Sequence, residues 1–480
     1  MTPAEFHQIQ MRRSFLEQCT GGLGAIALSS ILGAEGRTAD TGQQTKPTAS
    51  KNPHFKPKAK SIIFLFMAGA PSQIDLFDPK PELQKWHGKP LPASATKDLR
   101  LAFINASTAR ALGSPRRFRP YGECGMELSD LMPNMAHVVD ELCLVRSMRT
   151  EPLNHHPGQS LLMSGSTIMG RPTLGSWVVY GLGSESQELP GFVVLSSGRG
   201  ASAGSNNWTN GFMPSMYRGV NFRRQGDPIL YLSTPPGVSR ELQRLGIETI
   251  RNLNSERYRT TGDKEIASRI QAYELAFRMQ AAAPKLLDFS DEPKHILEQY
   301  GVGKKLAGPY GVNCLLARRM VERGVRCVLL VHSSWDDHEW LDRGLEVNCG
   351  MTEQPVAALI NDLKQRSMLD STLVVWGGEF GRTPMAEIRR PQDAGNIGRD
   401  HYNEGFSMWL AGGGIKGGQI IGQTDDLGLS IVDSPIHVHD LQATILHCLG
   451  MDHEQLTYQH LGRDFRLTDV GGNVVTQMLA

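Results

Sequence analysis

Ser61 to Phe66 (SIIFLF) is an unbroken apolar run that stops at Met67-Ala68-Gly69-Ala70-Pro71. This is the pattern of a strand covered on both faces and ended by a turn. Farther along, Asn313 to Arg323 has helical character, Gly324 supplies a stop, and Val325 to Val331 (VRCVLLV) reads as a second buried strand. The cycle then repeats. Val356, Leu359, Ile360 and Leu363 share one helix face, and Ser371 to Trp376 (STLVVW) resumes strand character. Phe406 to Leu410 is a further strand candidate, and a last helix runs from about His439 to Leu449, before Gly450. Strands alternating with amphipathic helices predict an α/β fold, a layered sandwich around a largely parallel central sheet. Residues 187–300 differ in texture: a Ser-, Gly-, Asn- and aromatic-rich segment precedes a polar helical stretch from Ser239 to Gln280. They are expected to form an insertion or cap over the sheet, of the kind that shapes access to a site.

Composition narrows the picture. A chain of 480 residues, 40% of them hydrophobic, can bury one large core or two smaller ones. Fifty Lys plus Arg against 49 Asp plus Glu leaves a net charge of +1, so no global field steers the molecule toward nucleic acid or anionic lipid. The seven cysteines contain no CxxC pair, which argues against a zinc finger or a thioredoxin-type site. Arg12-Arg13-Ser14-Phe15-Leu16 followed by the mildly apolar Gly21 to Leu32 reads as a twin-arginine export signal over 1–39. Residues 40–58 read as a linker and 59–480 as the folded domain, exported to the periplasm or beyond. No later window is long and apolar enough for a membrane span.

In an open parallel sheet, ligands gather beyond the carboxyl ends of the strands. Chemistry-bearing residues fall there: Ser72, Asp75 and Asp78 after the first strand, then His332 and Asp336-Asp337-His338-Glu339 after VRCVLLV. Glu379 and Arg382 follow STLVVW, and Arg399-Asp400-His401 precede Phe406. Convergence of these loops would make a site for one or two metal ions. Each residue also has an ordinary role available, such as a helix cap, an Arg382–Glu379 salt bridge or a hydrogen-bonded His401. Asn154-His155-His156, just before a predicted helix, could supply a ligand, a base or a nucleophile, and the helix N-terminus would favour an anion. The late histidines 437, 439 and 447 are read as structural.

Together, GAPSQIDLFDPKP, NHHPGQSLLMSG, WDDH, GGEFGRTP and GRDHYNEGFSMWLAGGGIKGG resemble a widespread exported family catalogued as a domain of unknown function, number fifteen hundred and one. That family is placed in the alkaline-phosphatase and sulfatase-like superfamily, and the resemblance spans nearly the whole mature chain. It implies one or two divalent metals, zinc foremost, and an alkaline-phosphatase-like fold. By resemblance Asp75, Asp336, His338, Glu379 and His401 are metal ligands, with Ser72 competing for the place of Asp75. His155 stands where the superfamily puts a hydroxyl nucleophile, Phe380 stands where a ligand histidine is expected, and no C/S-x-P-x-R sulfatase signature is present. The implied function is metal-dependent hydrolysis of a phosphate or sulfate ester, on a small molecule or an exported glycan. His155 and Arg382 would be catalytic, and Asn154, His156 and Arg399 substrate-binding. The alternative is a non-catalytic, metal-stabilised carbohydrate- or surface-binding protein using Asn206, Asn207, Trp208, Phe212 and Tyr217.

Overall fold

The computed structural model describes residues 48–480 apart from 98, 199, 224–228, 230–233, 235, 236 and 390–394. The expected signal over 1–39 and the first part of the expected linker lie outside the described residues. From Thr48 onward that linker is fastened to the domain. Lys51 N donates to Leu182 O at 2.9 Å, and Lys58 N and Ala59 N both donate to Cys448 O, at 2.9 and 2.8 Å.

The central sheet is built from β1 (Ser61–Ala68), β2 (Leu142–Arg149), β3 (Phe192–Ser197), β4 (Val220–Phe222), β5 (Cys327–Ser333) and β6 (Thr372–Gly377). After a separate antiparallel hairpin, β7 (Gly381–Glu387) and β8 (Gly398–Tyr402), the sheet resumes with β9 (Glu404–Ala411), β10 (Gln419–Ile421) and the short β11 (Ile436–His437). Its order is β10-β2-β9-β6-β1-β5-β3-β4, with β11 also paired to β2. Every pairing in it is parallel except those of β9, which runs antiparallel to both β2 and β6.

Alternation along β1 divides the core. Ile63, Leu65 and Met67 face one layer, packed with residues of α5 (Gly308–Glu322) and α6 (Leu341–Gln365). Ile62, Phe64, Phe66 and Ala68 face the other, packed with α1 (His155–Ser164), α2 (Leu174–Leu182) and α7 (Val438–Cys448). All eight residues of β1 are buried, which explains why it reads as a continuous apolar run instead of an alternating one.

The expected insertion over 187–300 is narrower than its sequence texture. Phe192–Ser197 is β3, an interior strand of the central sheet, because Val193, Val194 and Leu195 supply apolar side chains to both faces. The polar stretch after Ser239 is a helix pair, α3 (Arg240–Thr261) and α4 (Lys264–Leu287), broken where Gly262 takes φ 67°. Buried charge anchors the segment beyond α4: Arg318 reaches Glu292 at 2.6 Å and Asp362 at 2.9 Å, joining it to α5 and α6. All six cysteines among the described residues are free thiols.

Candidate metal centre

Three loops and one helix start meet beyond the carboxyl ends of β1, β5 and β6. Gly69, directly after β1, has φ 113°, and a Cβ there would lie 2.7 Å from Asp336 N. Glycine therefore lets the chain after β5 cross tightly over the end of β1. On the other side, a Cβ on Gly398 would lie 2.0 Å from the His338 carbonyl carbon, so β8 also packs directly on that segment. The Asp336–His338 stretch is held between two glycine contacts. The β7–β8 hairpin pairs His401 with Arg382 and delivers both to the same place.

Side-chain nitrogen and oxygen atoms of His155, Asp336, His338 and His401 all lie within 4.8 Å of one another. The Nε2 atoms of His155, His338 and His401 stand 3.0, 2.9 and 3.2 Å from one oxygen, Asp336 Oδ1. His338 Nε2 and His401 Nε2 are themselves 2.9 Å apart. The far side of each ring is equally constrained. His155 Nδ1 meets Glu379 Oε1 at 2.6 Å, His338 Nδ1 meets Glu387 Oε2 at 2.5 Å, and His401 Nδ1 meets Leu153 O at 2.7 Å. A carbonyl or carboxylate oxygen only accepts, so each Nδ1 carries a proton and each Nε2 is turned inward, toward Asp336 Oδ1. Three lone pairs aimed at one carboxylate oxygen repel unless a cation or extra protons intervene. This donor set fits a divalent metal, with the Nδ1 partners acting as the outer contacts that orient metal-binding imidazoles.

The electrostatics without a cation agree. Burial opposes charge on His155, but hydrogen bonds and charge from Asp336 and Glu379 raise it to about 9. Burial works against ionisation of Asp336, yet the three histidines and Arg382 hold its carboxyl far below the usual range. Burial, with Arg382 nearby, lowers His401. Asp336 is the open member, its side chain 45% exposed, whereas His338 and His401 are buried and His155 is 17% exposed.

The expected residues do not all meet. Asp75 is drawn out of the cluster by Arg399, whose Nε and Nη2 donate to its two oxygens at 2.9 and 3.2 Å, and Ser72 Oγ donates to it at 2.5 Å. That geometry makes Asp75 half of a buried ion pair instead of a metal ligand. The remaining nitrogen of Arg399, Nη1, donates to Thr383 O at 3.2 Å, so the guanidinium is held within the protein at all three nitrogens. Arg382 is likewise consumed within the protein. It donates to the carbonyls of Gly69, Ala70, Trp335 and Arg399 and, at 2.6 Å, to Asp336 Oδ1. It is buried, each of its three nitrogens is engaged by a protein oxygen, and it positions Asp336. Glu379 stands behind His155 and outside the four-residue cluster, accepting from Gly69 N at 3.2 Å and Gln159 Nε2 at 3.0 Å. Asn154 and His156 are exposed and flank His155 at the start of α1. Phe380 stacks under His155, with ring centroids 5.1 Å apart.

The aromatic and Asn-rich segment of the alternative reading is spent on packing. Asn207 and Tyr217 are buried, Asn207 Nδ2 donates to Gln159 Oε1 at 3.3 Å, and Phe212 stacks on His460 at 4.6 Å. One acidic residue at the site, Glu387, was not singled out from sequence, and Asp400, which was, serves as a support. Glu387 ends β7 and orients His338, while Asp400 accepts from the amides of Phe103, Ile104 and His401 at 2.7, 3.0 and 2.8 Å. Phe103, exposed at the mouth, lies 5.4 Å edge-on from both His338 and His401.

A family model described as Protein of unknown function (DUF1501) matches residues 59–479. No curated protein matches the chain. Similar solved structures include the lipoteichoic acid synthase LtaP from Listeria monocytogenes, at 8% identity over 88% of this chain and 78% of that one, with TM-score 0.36. The PsFucS1 sulfatase from Pseudoalteromonas sp. has 11% identity over 83% and 68%, with TM-score 0.33. A protein in the alkaline phosphatase superfamily from Vibrio parahaemolyticus has 10% identity over 85% and 71%, with TM-score 0.33. Likenesses this distant assign no chemistry to the site.

Proposed function

The chain belongs to the DUF1501 family, and from that premise we propose that it is a metal-dependent hydrolase of phosphate or sulfate esters. The observation that carries the reading is the convergence of three histidine Nε2 atoms on Asp336 Oδ1, each ring fixed by an acceptor at Nδ1. Asp336, His338 and His401 would hold the ion, a carboxylate and imidazole set that suits zinc with one position left open. When bound, a divalent cation there supplies Lewis-acid polarisation of the ester oxygens and offsets the negative charge that builds on them.

The chain's own residues do the rest. His155 is more exposed than His338 and His401 and has its own buried carboxylate partner, Glu379. In its neutral form, held as the Nδ1–H tautomer by Glu379, His155 takes the proton of an attacking water at Nε2 as that oxygen bonds to phosphorus or sulfur, so turnover requires the deprotonated ring. The bond from the phosphorus or sulfur to the leaving oxygen then breaks, and the proton gained by His155 passes through solvent to the leaving oxygen, which restores the neutral ring. Arg382 keeps Asp336 in place, and Phe380 supports the His155 ring from below. The substrate is an ester of a small molecule or a glycan, and the arginine pair and apolar run at the amino terminus support export to the periplasm or beyond.

Elemental analysis of the purified protein and of Asp336→Ala, His401→Ala and His155→Ala, followed by assays on p-nitrophenyl phosphate and p-nitrophenyl sulfate, tests the reading. Stoichiometric metal lost in the first two variants is expected, together with metal kept and hydrolysis lost in His155→Ala. A native protein that takes up no divalent metal even on reconstitution would sink it.

A further inference from the structure

We infer that a cleft beside the metal centre is a binding subsite for an anionic carbohydrate, with Trp340 as the ring surface and Arg343 as the anion contact. The inference rests on the ester-hydrolase reading only in that the subsite would hold a part of the substrate remote from the reacting ester.

The cleft encloses about 450 Å³ between the loops carrying His87 and Leu112, the start of α6, and the chain at Ile397 and Arg399. None of the four clustered residues lines it. It is nevertheless attached to them, because Trp340 follows His338 by two residues and Leu341 N donates to Ile397 O at 3.1 Å, just before β8. Binding energy gathered at such a distance can be used to place the reacting group.

Trp340 is the unusual member. It precedes the first residue of α6 at φ 58°, ψ 36°, the left-handed region, which a bulky side chain rarely adopts. Its side chain makes no capping hydrogen bond, and the residue is 54% exposed. Glycine would take the same backbone without strain, so neither the helix nor the core accounts for an indole here. Contact with a ligand ring is the interaction that would offset both the strain and the wetted apolar surface. Indole, with an apolar face and one polar edge, suits the C–H face of a sugar.

Two of the described polar residues that line the cleft offer donors. His87 Nδ1 accepts from Gly113 N at 3.2 Å, so its proton sits on Nε2 and remains available to donate. Arg343 is exposed and makes no ion pair among the described residues. The cleft's carboxylate, Asp342, is already engaged by Arg116 Nη2 at 3.0 Å. A ring surface flanked by a cation and an N–H donor is the complement of a sugar bearing a sulfate, phosphate or carboxylate group.

The test is calorimetric titration of the full protein with a heparin tetrasaccharide, a sulfated galactan tetrasaccharide and the desulfated form of each. A sulfated probe should bind the native protein, and Trp340→Gly should weaken that binding at least tenfold while its thermal midpoint stays level or rises. Trp340→Phe should keep most of the affinity, and Arg343→Gln should erase the preference for the sulfated form. The inference is overturned if no probe binds the native protein, or if Trp340→Gly binds as well as native. Asp336→Ala separates the two readings. If that variant retains sugar binding and the native protein hydrolyses no ester, the hydrolase reading is retired and the subsite kept; ester turnover by the native protein without sugar binding does the reverse.

Discussion

Replacing Arg399 by leucine is the sharpest test of how the site is held together. Asp75 and Arg399 are both fully buried, and the guanidinium gives the carboxylate two hydrogen bonds, at 2.9 and 3.2 Å. Burial alone would raise the Asp75 pKa; the charge and hydrogen bonds of Arg399, helped by Ser72, turn the shift downward. Removing the arginine leaves a buried carboxylate with only the hydroxyls of Ser114 and Ser72 for support, and losses of this kind run to about 3–5 kcal/mol. The pH dependence has a definite sign. In the native protein a depressed pKa contributes stability that is present above the unfolded value and lost as pH falls through the folded one. In Arg399→Leu the folded pKa rises instead, so the penalty is greatest near neutrality and shrinks as acid neutralises Asp75. Urea unfolding at pH 7 and near pH 4.5 measures both, and adding Asp75→Asn to the variant should recover part of the loss. Metal content should survive, because neither residue belongs to the four-residue cluster. A loss below about 1 kcal/mol, or one that does not vary with pH, would refute the ion-pair account.

Other expectations follow from the same geometry. Glu387→Gln should keep the fold but weaken metal affinity about 10- to 100-fold in chelator competition, because it loosens the partner of His338 Nδ1. Gly398→Ala drives a methyl into the His338 backbone, so chemical unfolding should show a cost of about 1–3 kcal/mol and metal titration a weaker site. His332, on β5, is buried between Ser197 Oγ at 2.8 Å and Asn348 Oδ1 at 3.2 Å, and burial lowers it to about 4. The unfolded chain therefore binds the extra proton first, and stability should fall by up to about 3 kcal/mol as pH drops from 6.5 toward 4. His332→Gln should flatten that part of the stability profile, and an unchanged profile would show that the residue is not the titrating group.

Much of the architecture was legible because burial on both faces leaves a local trace. SIIFLF, VRCVLLV and STLVVW are strands of the parallel sheet, offset by one or two residues at their ends. β3 escaped notice because its run of apolar residues sits between Ser- and Gly-rich segments, and its place beside β5 is a long-range fact. The orientation of β9 was equally invisible, since a buried strand has the same composition whichever way it runs.

At the site, residue type and position at strand ends identified the loops that matter, including those of Asp336, His338, His401 and His155. They could not assign partners. Asp75, Glu379, Arg382 and Arg399 carry the same chemical labels as ligands and anion holders, yet Asp75 and Arg399 pair with each other across 324 positions of chain. The sequence by itself determined the layered α/β framework, the segments that end at its carboxyl edge and the chemical types brought there, because periodicity and strand termini are local properties. Only the tertiary structure decided which nitrogen faces which oxygen. That depends on close backbone approaches such as Gly69 to Asp336 and Gly398 to His338, and on burial, which makes each buried charge take a partner or give up its charge.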